Sequence, residues 1–187
     1  MSEHPPTSYF DRKRSASYER RATRLLGGLY RRVASDVAAL APPGAVVLDV
    51  GTGPGRLLHA VAARRADLVL GGVDLSADMV EIANARAGAW SSRITFQAAD
   101  VASLPYSDDS VDVVVSTLSM HEWPDQRRAV AELRRVLRPG GVLLVYDIRF
   151  ARVDRESFSG FVGVRRVPVR LRWWPVALFA RVTATVS

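Results

Sequence analysis

The chain has 187 residues, enough for about one domain with a real core, and carries 48% hydrophobic and 24% charged residues, an ordinary globular balance. It has no cysteine, which excludes disulfide scaffolds, thiolate metal sites and a cysteine nucleophile. The net charge is +7, carried almost wholly by arginine at the two ends, over 12–32 and 149–181, and Lys13 is the only lysine. Residues 1–14 contain no apolar segment of the signal-peptide type, and no apolar run approaches the ~20 residues of a membrane span. These features predict a soluble, cytoplasmic protein.

Residues 1–9 read as a loose tail. From Tyr18 to Leu40 apolar residues recur at helical spacing, and Gly27-Gly28 interrupts them, predicting two short helices with a bend. Strands and helices then alternate. AVVLDV (45–50), LVLGGVD (68–74), RITFQAAD (93–100), VDVVVS (111–116) and VLLVYD (142–147) read as strands. Helices are expected over 56–65, after an N-cap at Ser76, and from the Pro124 turn to about Leu137, where Arg138-Pro-Gly-Gly141 stops the last one. FVGVRRVPVR (161–170) and ALFARVTATV (177–186) suit an antiparallel hairpin on the sheet edge, where Pro168 is tolerated. The alternation predicts an α/β, doubly wound and mostly parallel sheet.

Chemistry concentrates at the ends of the strands. LDVGTGPGRL (48–57) is a glycine loop between a strand and a helix, where the backbone can turn sharply and approach a ligand. Its spacing, Gly51-x-Gly53-x-Gly55, is not the dinucleotide G-x-G-x-x-G, and no Gly-Lys-Ser/Thr follows as in a P-loop. Asp49 just before the loop would repel a pyrophosphate and favour a cation or an ammonium group. Asp74 closes the second strand where a carboxylate can grip ribose hydroxyls, and Asp100 with Val101 can read an adenine edge. The implied ligand has a positive head, a ribose and an adenine, and no phosphate.

These motifs, with GVDLSADMV (72–80), LSMHEW (118–123), LRRVLRPGGVLLVYD (133–147) and the Ser159-Gly160-Phe161 step, resemble the class I S-adenosylmethionine-dependent methyltransferases, in their compact small-molecule form, over about residues 45–186. The resemblance implies a Rossmann-like seven-stranded sheet of order 3-2-1-4-5-7-6 and the cofactor S-adenosylmethionine. It implies that Asp49 and the loop Gly51, Thr52, Gly53 and Gly55 face the methionyl part of the cofactor. Asp74 would bind the ribose, Leu75 and Met79 would flank the adenine, Asp100 and Val101 would read it, and Ser116 would stand near the methionyl group. Residues 1–44 would cover the cleft of a core spanning 45–187, with Tyr9, Phe10 and Tyr18 or the Trp173-Trp174 turn as the closing groups, because the segment between Asp147 and Gly160 is too short for the usual fifth helix and no lid is inserted.

Methyl transfer needs a base only where the acceptor loses a proton. His121, just past the fourth strand, is the candidate catalytic base; the alternative is that it packs its loop. His59 and His4 do not point there, and Glu122 or Tyr146 could orient a substrate. No metal is expected, since no second histidine follows His-Glu at helical spacing. The acceptor is expected to be a small molecule methylated at O, N or C. A nucleic-acid methyltransferase is the alternative suggested by the arginine-rich ends, disfavoured because STLSMHEW lacks an Asn/Asp-Pro-Pro-Tyr pattern. A non-catalytic S-adenosylmethionine-binding protein, a homodimer, and peripheral membrane contact through Trp173, Trp174 and nearby arginines complete the expectations.

Overall fold

The computed structural model describes residues 26–90, 92–171 and 176–187. The expectations for Tyr9, Phe10, Tyr18, Trp173 and Trp174, and for a helix ahead of Gly27, lie outside them.

One seven-stranded sheet organises the chain: β1 (Val46–Val50), β2 (Val69–Asp74), β3 (Ile94–Ala98), β4 (Val111–Thr117), β5 (Leu137–Ile148), β6 (Phe161–Val169) and β7 (Phe179–Val186). The spatial order is β3-β2-β1-β4-β5-β7-β6. The first five strands run parallel, while β7 pairs antiparallel with both β5 and β6. Helices α1 (Gly27–Leu40), α2 (Arg56–Ala62), α3 (Ala77–Ala87) and α4 (Gln126–Val136) complete the layers. The central strands are buried on both faces, so they read as unbroken Val and Leu runs rather than alternating ones.

Two apolar cores form, one on each side of the sheet. Leu29, Val33 and Val37 of α1 pack with Leu57, Leu58 and Val61 of α2 on one side. Val130, Leu133 and Val136 of α4 pack with Leu48, Leu143 and Val145 on the other. Among the described residues no helix is long and apolar enough to cross a membrane.

Gly27 and Gly28 are the first residues of α1, and the expected bend between two helices falls at the edge of the described residues. Two local expectations are corrected. Pro124 lies outside α4, whose N-cap is Asp125, its side chain accepting from the Arg128 amide at 3.0 Å. Arg138-Pro-Gly-Gly141 does end α4, but it belongs to β5: Leu137 pairs with Val111, and the ladder shifts register before Val142 pairs with Val113. Pro168 lies on β6, whose only described partner is β7, as an edge position allows.

Leu58 is fully buried between α1 and the sheet, whereas Leu40 at the end of α1 is 45% exposed. Leu58→Ala should lower the unfolding free energy by ~2–5 kcal/mol, and Leu40→Ala should stay within ~0.5 kcal/mol of the parent. Urea denaturation of both variants measures the difference.

Candidate active site

The parallel register brings the strand ends together. Val50 pairs with Val73 on one side and with Ser116 on the other, and Asp74 pairs with Ala98. Asp49, Asp74, Asp100 and Ser116 therefore gather along one edge of the sheet, where ligands of such folds bind.

Asp49 is 2% exposed. Its Oδ2 accepts from the Thr52 hydroxyl at 2.8 Å, so Thr52 turns inward and holds the carboxylate. Its Oδ1 is buried with no partner among the described residues. Burial pushes the Asp49 carboxyl up to about 7; the Thr52 hydrogen bond opposes this and the nearby Asp74 charge adds to it. Gly51, Gly53 and Gly55 all have positive φ, and a Cβ on Gly53 would meet nothing within 4 Å, so the loop leaves open space above its backbone.

Asp74 ties this loop to the next strand. Its Oδ2 accepts from the Gly53 amide at 2.8 Å and its Oδ1 from the Ser76 amide at 2.9 Å. Burial raises its pKa, and those two amides offset part of the rise. Ser76 caps α3 by accepting from the Met79 amide, which seats the buried Met79, while Leu75 stands 73% exposed beside Asp74. Asp100 is exposed and accepts from the Ala102 amide at 2.8 Å, forming a turn that contains Val101.

The loop after β4 closes the other side. Ser116 and Thr117 are buried, and neither hydroxyl oxygen has a partner among the described residues. Leu118 adopts φ +58, an uncommon conformation for a non-glycine residue, and its amide donates to the Tyr146 carbonyl at 2.7 Å. Ser119 then lies against Gly51, where a Cβ would stand 2.1 Å from its Oγ; only glycine fits. The Trp123 indole N–H donates to that same Oγ at 2.8 Å.

His121 is held twice by Asp147 at the end of β5. Its backbone amide donates to Oδ2 at 2.9 Å, and its Nδ1 is 2.7 Å from Oδ1. Asp147 is buried and also accepts from the Ile148 amide. The buried carboxylate at Nδ1 orients the ring, whose Nε2 stands 4.0 Å from the exposed Glu122 carboxylate on a side chain that is 30% exposed. His59 is placed elsewhere, edge-on to Phe96, with burial lowering its pKa.

One expectation is corrected at β5. Tyr146 is not an orienting group for a substrate: its side chain is fully buried and its hydroxyl donates to Asp36 Oδ2 of α1 at 2.5 Å. Its neighbour Asp147, on the opposite face of the strand, holds His121, a contact that sequence reasoning missed. The signal was the same as for Asp49 and Asp74, a carboxylate closing a strand, but it was read only as a boundary. Ser119 and Trp123 were also missed, since only the fold brings them to Gly51.

The edge thus holds a glycine loop, a buried half-paired carboxylate and two buried unpaired hydroxyls. Residues 48–145 match the family described as the methyltransferase domain, and the chain belongs to that family, a class I S-adenosylmethionine-dependent methyltransferase by fold and motif. It is 33% identical over 121 residues to a ubiquinone/menaquinone biosynthesis C-methyltransferase of Geotalea daltonii, covering 63% of this chain and 51% of that one. It is 39% identical over 103 residues to the 27-O-demethylrifamycin SV methyltransferase of Amycolatopsis mediterranei, covering 54% of this chain and 38% of that one. The chain therefore spans about half, or less, of the length of these curated relatives. The solved structure of an S-adenosylmethionine-dependent methyltransferase from Aquifex aeolicus shares the fold, with a TM-score of 0.74 at 19% identity, covering 95% of this chain and 100% of that one.

The site fits S-adenosylmethionine. The free Oδ1 of Asp49 can accept from an ammonium group, and the open space over Gly53 leaves room for the ligand. An ammonium ion favours ionised Asp49, so binding of S-adenosylmethionine should tighten as pH rises from about 5.5 to about 7 and then level off. Asp49→Asn should abolish that slope and weaken binding ~10-fold or more. Calorimetric titration across this range checks both. Because the folded carboxyl titrates above its ordinary 3.8, the ligand-free protein should also lose stability as pH rises from about 4 to about 7.

Proposed function

We propose that the protein transfers the methyl group of S-adenosylmethionine to a hydroxyl of a small-molecule acceptor, with His121 as the general base. The observation that supports an acceptor with a proton to lose is the His121–Asp147 pair: an imidazole oriented by a buried carboxylate is suited to receive that proton. Relatives named for a quinone pathway and for a rifamycin support the small-molecule class.

When bound, S-adenosylmethionine supplies an electrophilic methyl group on a sulfonium, a leaving group that needs no protonation. Asp49 would hold the ammonium group and the backbone from Gly51 to Gly55, through Thr52 and Gly53, would face the methionyl chain. Asp74 retains acceptor capacity for the ribose hydroxyls beside its two amide bonds. Leu75 and Met79 would flank the adenine, Asp100 and Val101 would read its edge, and the unpaired Ser116 hydroxyl would complete the methionyl end.

With the sulfonium donor bound and its neutral thioether as leaving group, positioning would supply most of the rate, and His121 Nε2 would take the acceptor's hydroxyl proton, the resulting imidazolium being stabilised by the Asp147 carboxylate. Residues ahead of 45 contribute the cover of the cleft: α1 packs on α2, directly after the glycine loop.

A screen of cofactor consumption across phenols, quinols, amines, thiols and RNA should select a hydroxyl acceptor. With it, His121→Ala should lower kcat ~10²–10⁴-fold and leave the affinity for S-adenosylmethionine unchanged. Asp147→Asn should shift the pH profile of kcat while also lowering it. Full turnover by His121→Ala, or selection of RNA alone, would sink the proposal.

A further inference from the structure

Seven of the ten exposed large apolar residues among the described residues fall between positions 148 and 178. Isolated exposed apolar side chains are ordinary; a concentration of them is not. Phe150 is 82% exposed, Val176 56%, Ile148 44% and Leu178 43%. They are neighbours in the fold: Ile148 pairs with Phe179, and the Arg149 amide donates to the Leu178 carbonyl at 2.8 Å. This segment directly follows Asp147 in the chain.

The surroundings are strongly basic. Residues 149–181 contain eight arginines, of which Arg181 is paired with Asp36 of α1 and Arg172 lies outside the described residues, and only two acidic residues, Asp154 and Glu156. Both acids are paired with Arg127 of α4, so they do not offset the charge of the patch. Arg149 stands beside the Phe150 ring at 5.5 Å, and the Arg166 guanidinium donates to the Arg149 and Ala151 carbonyls, bracing the loop that displays Phe150. Arg165 and Arg170 on and beside β6 are exposed. The segment between β5 and β6 holds one short 3-10 turn, Arg155–Phe158, in place of a covering helix.

We propose that this face docks on an anionic lipid bilayer, with Phe150, Val176 and Leu178 entering the headgroup boundary and the arginines pairing with lipid phosphates. Charge complementarity selects that occupant. A second copy of the chain would bring the same arginines against themselves, and a nucleic acid would leave Phe150 and Val176 without a role.

Co-sedimentation of the full chain with vesicles tests this without any turnover, so the result is independent of the methyltransferase reading. Vesicles of phosphatidylcholine mixed with phosphatidylglycerol should bind the protein at least ~10-fold better than phosphatidylcholine alone, with binding falling as salt rises. Phe150→Ser, and separately the pair Arg165→Glu and Arg170→Glu, should each weaken binding ~10-fold while leaving S-adenosylmethionine affinity unchanged, which shows that both remain folded. Absence of binding to the mixed vesicles would overturn the proposal. So would undiminished binding by Phe150→Ser, which would mark bare charge adsorption, or a concentration-dependent dimer that Phe150→Ser abolishes without any vesicle binding.

Discussion

The parallel pairing of β1 with β4 is the constraint from which the site descends. Because Val50 stands beside Ser116, the turn leaving β1 and the turn leaving β4 must pass through the same space. They do so only because position 51 has no side chain: Ser119 occupies the volume that a Cβ would need. That contact seats the loop that carries His121, and Leu118 takes an uncommon φ to enter it. The glycine loop is therefore a packing partner of the loop after β4 as well as the proposed cradle for the cofactor.

Electrostatics along the edge follow from burial. Asp49 is deep in the sheet, and half of its hydrogen-bonding capacity is left unused; burial, with a smaller addition from the Asp74 charge, drives its carboxyl upward. A polar group buried without a partner costs about 1–3 kcal/mol, and a cationic ligand removes that cost. Asp147 is comparably buried but receives two amides and an imidazole, so its bonds are spent on geometry rather than on a ligand. Two carboxylates at equivalent strand ends thus acquire different tasks from their surroundings alone.

The fold was largely legible in the sequence. Buried parallel strands are continuous apolar runs of four to eight residues, and the glycine loop after β1 gave the direction of the chain. The strand boundaries agree within a few residues, with β5 the exception: its ladder resumes at Leu137 through a proline and two glycines, because pairing with Val111 outweighs the local turn signal. Of the candidate site, Asp49 on β1, Asp74 on β2 and Asp100, two residues beyond β3, could be placed at one edge from the sequence because strand ends in such folds meet there. The Asp147 clamp was not, since it lies 26 residues from His121 and only the β4–β5 pairing brings the two together.

By itself the sequence determined the order of strands and helices, the glycine loop, the absence of thiol chemistry and the concentration of arginine near the C-terminus, all of which are local or compositional properties. Tertiary structure decided which neighbours share a face. Tyr146 and Asp147 are adjacent in the chain, yet side chains alternate across a strand, so one is sealed against Asp36 of α1 and the other reaches His121. It also decided that Ile148 and Leu178, 30 positions apart, are neighbours, because the β5–β7 pairing joins the segments that carry them.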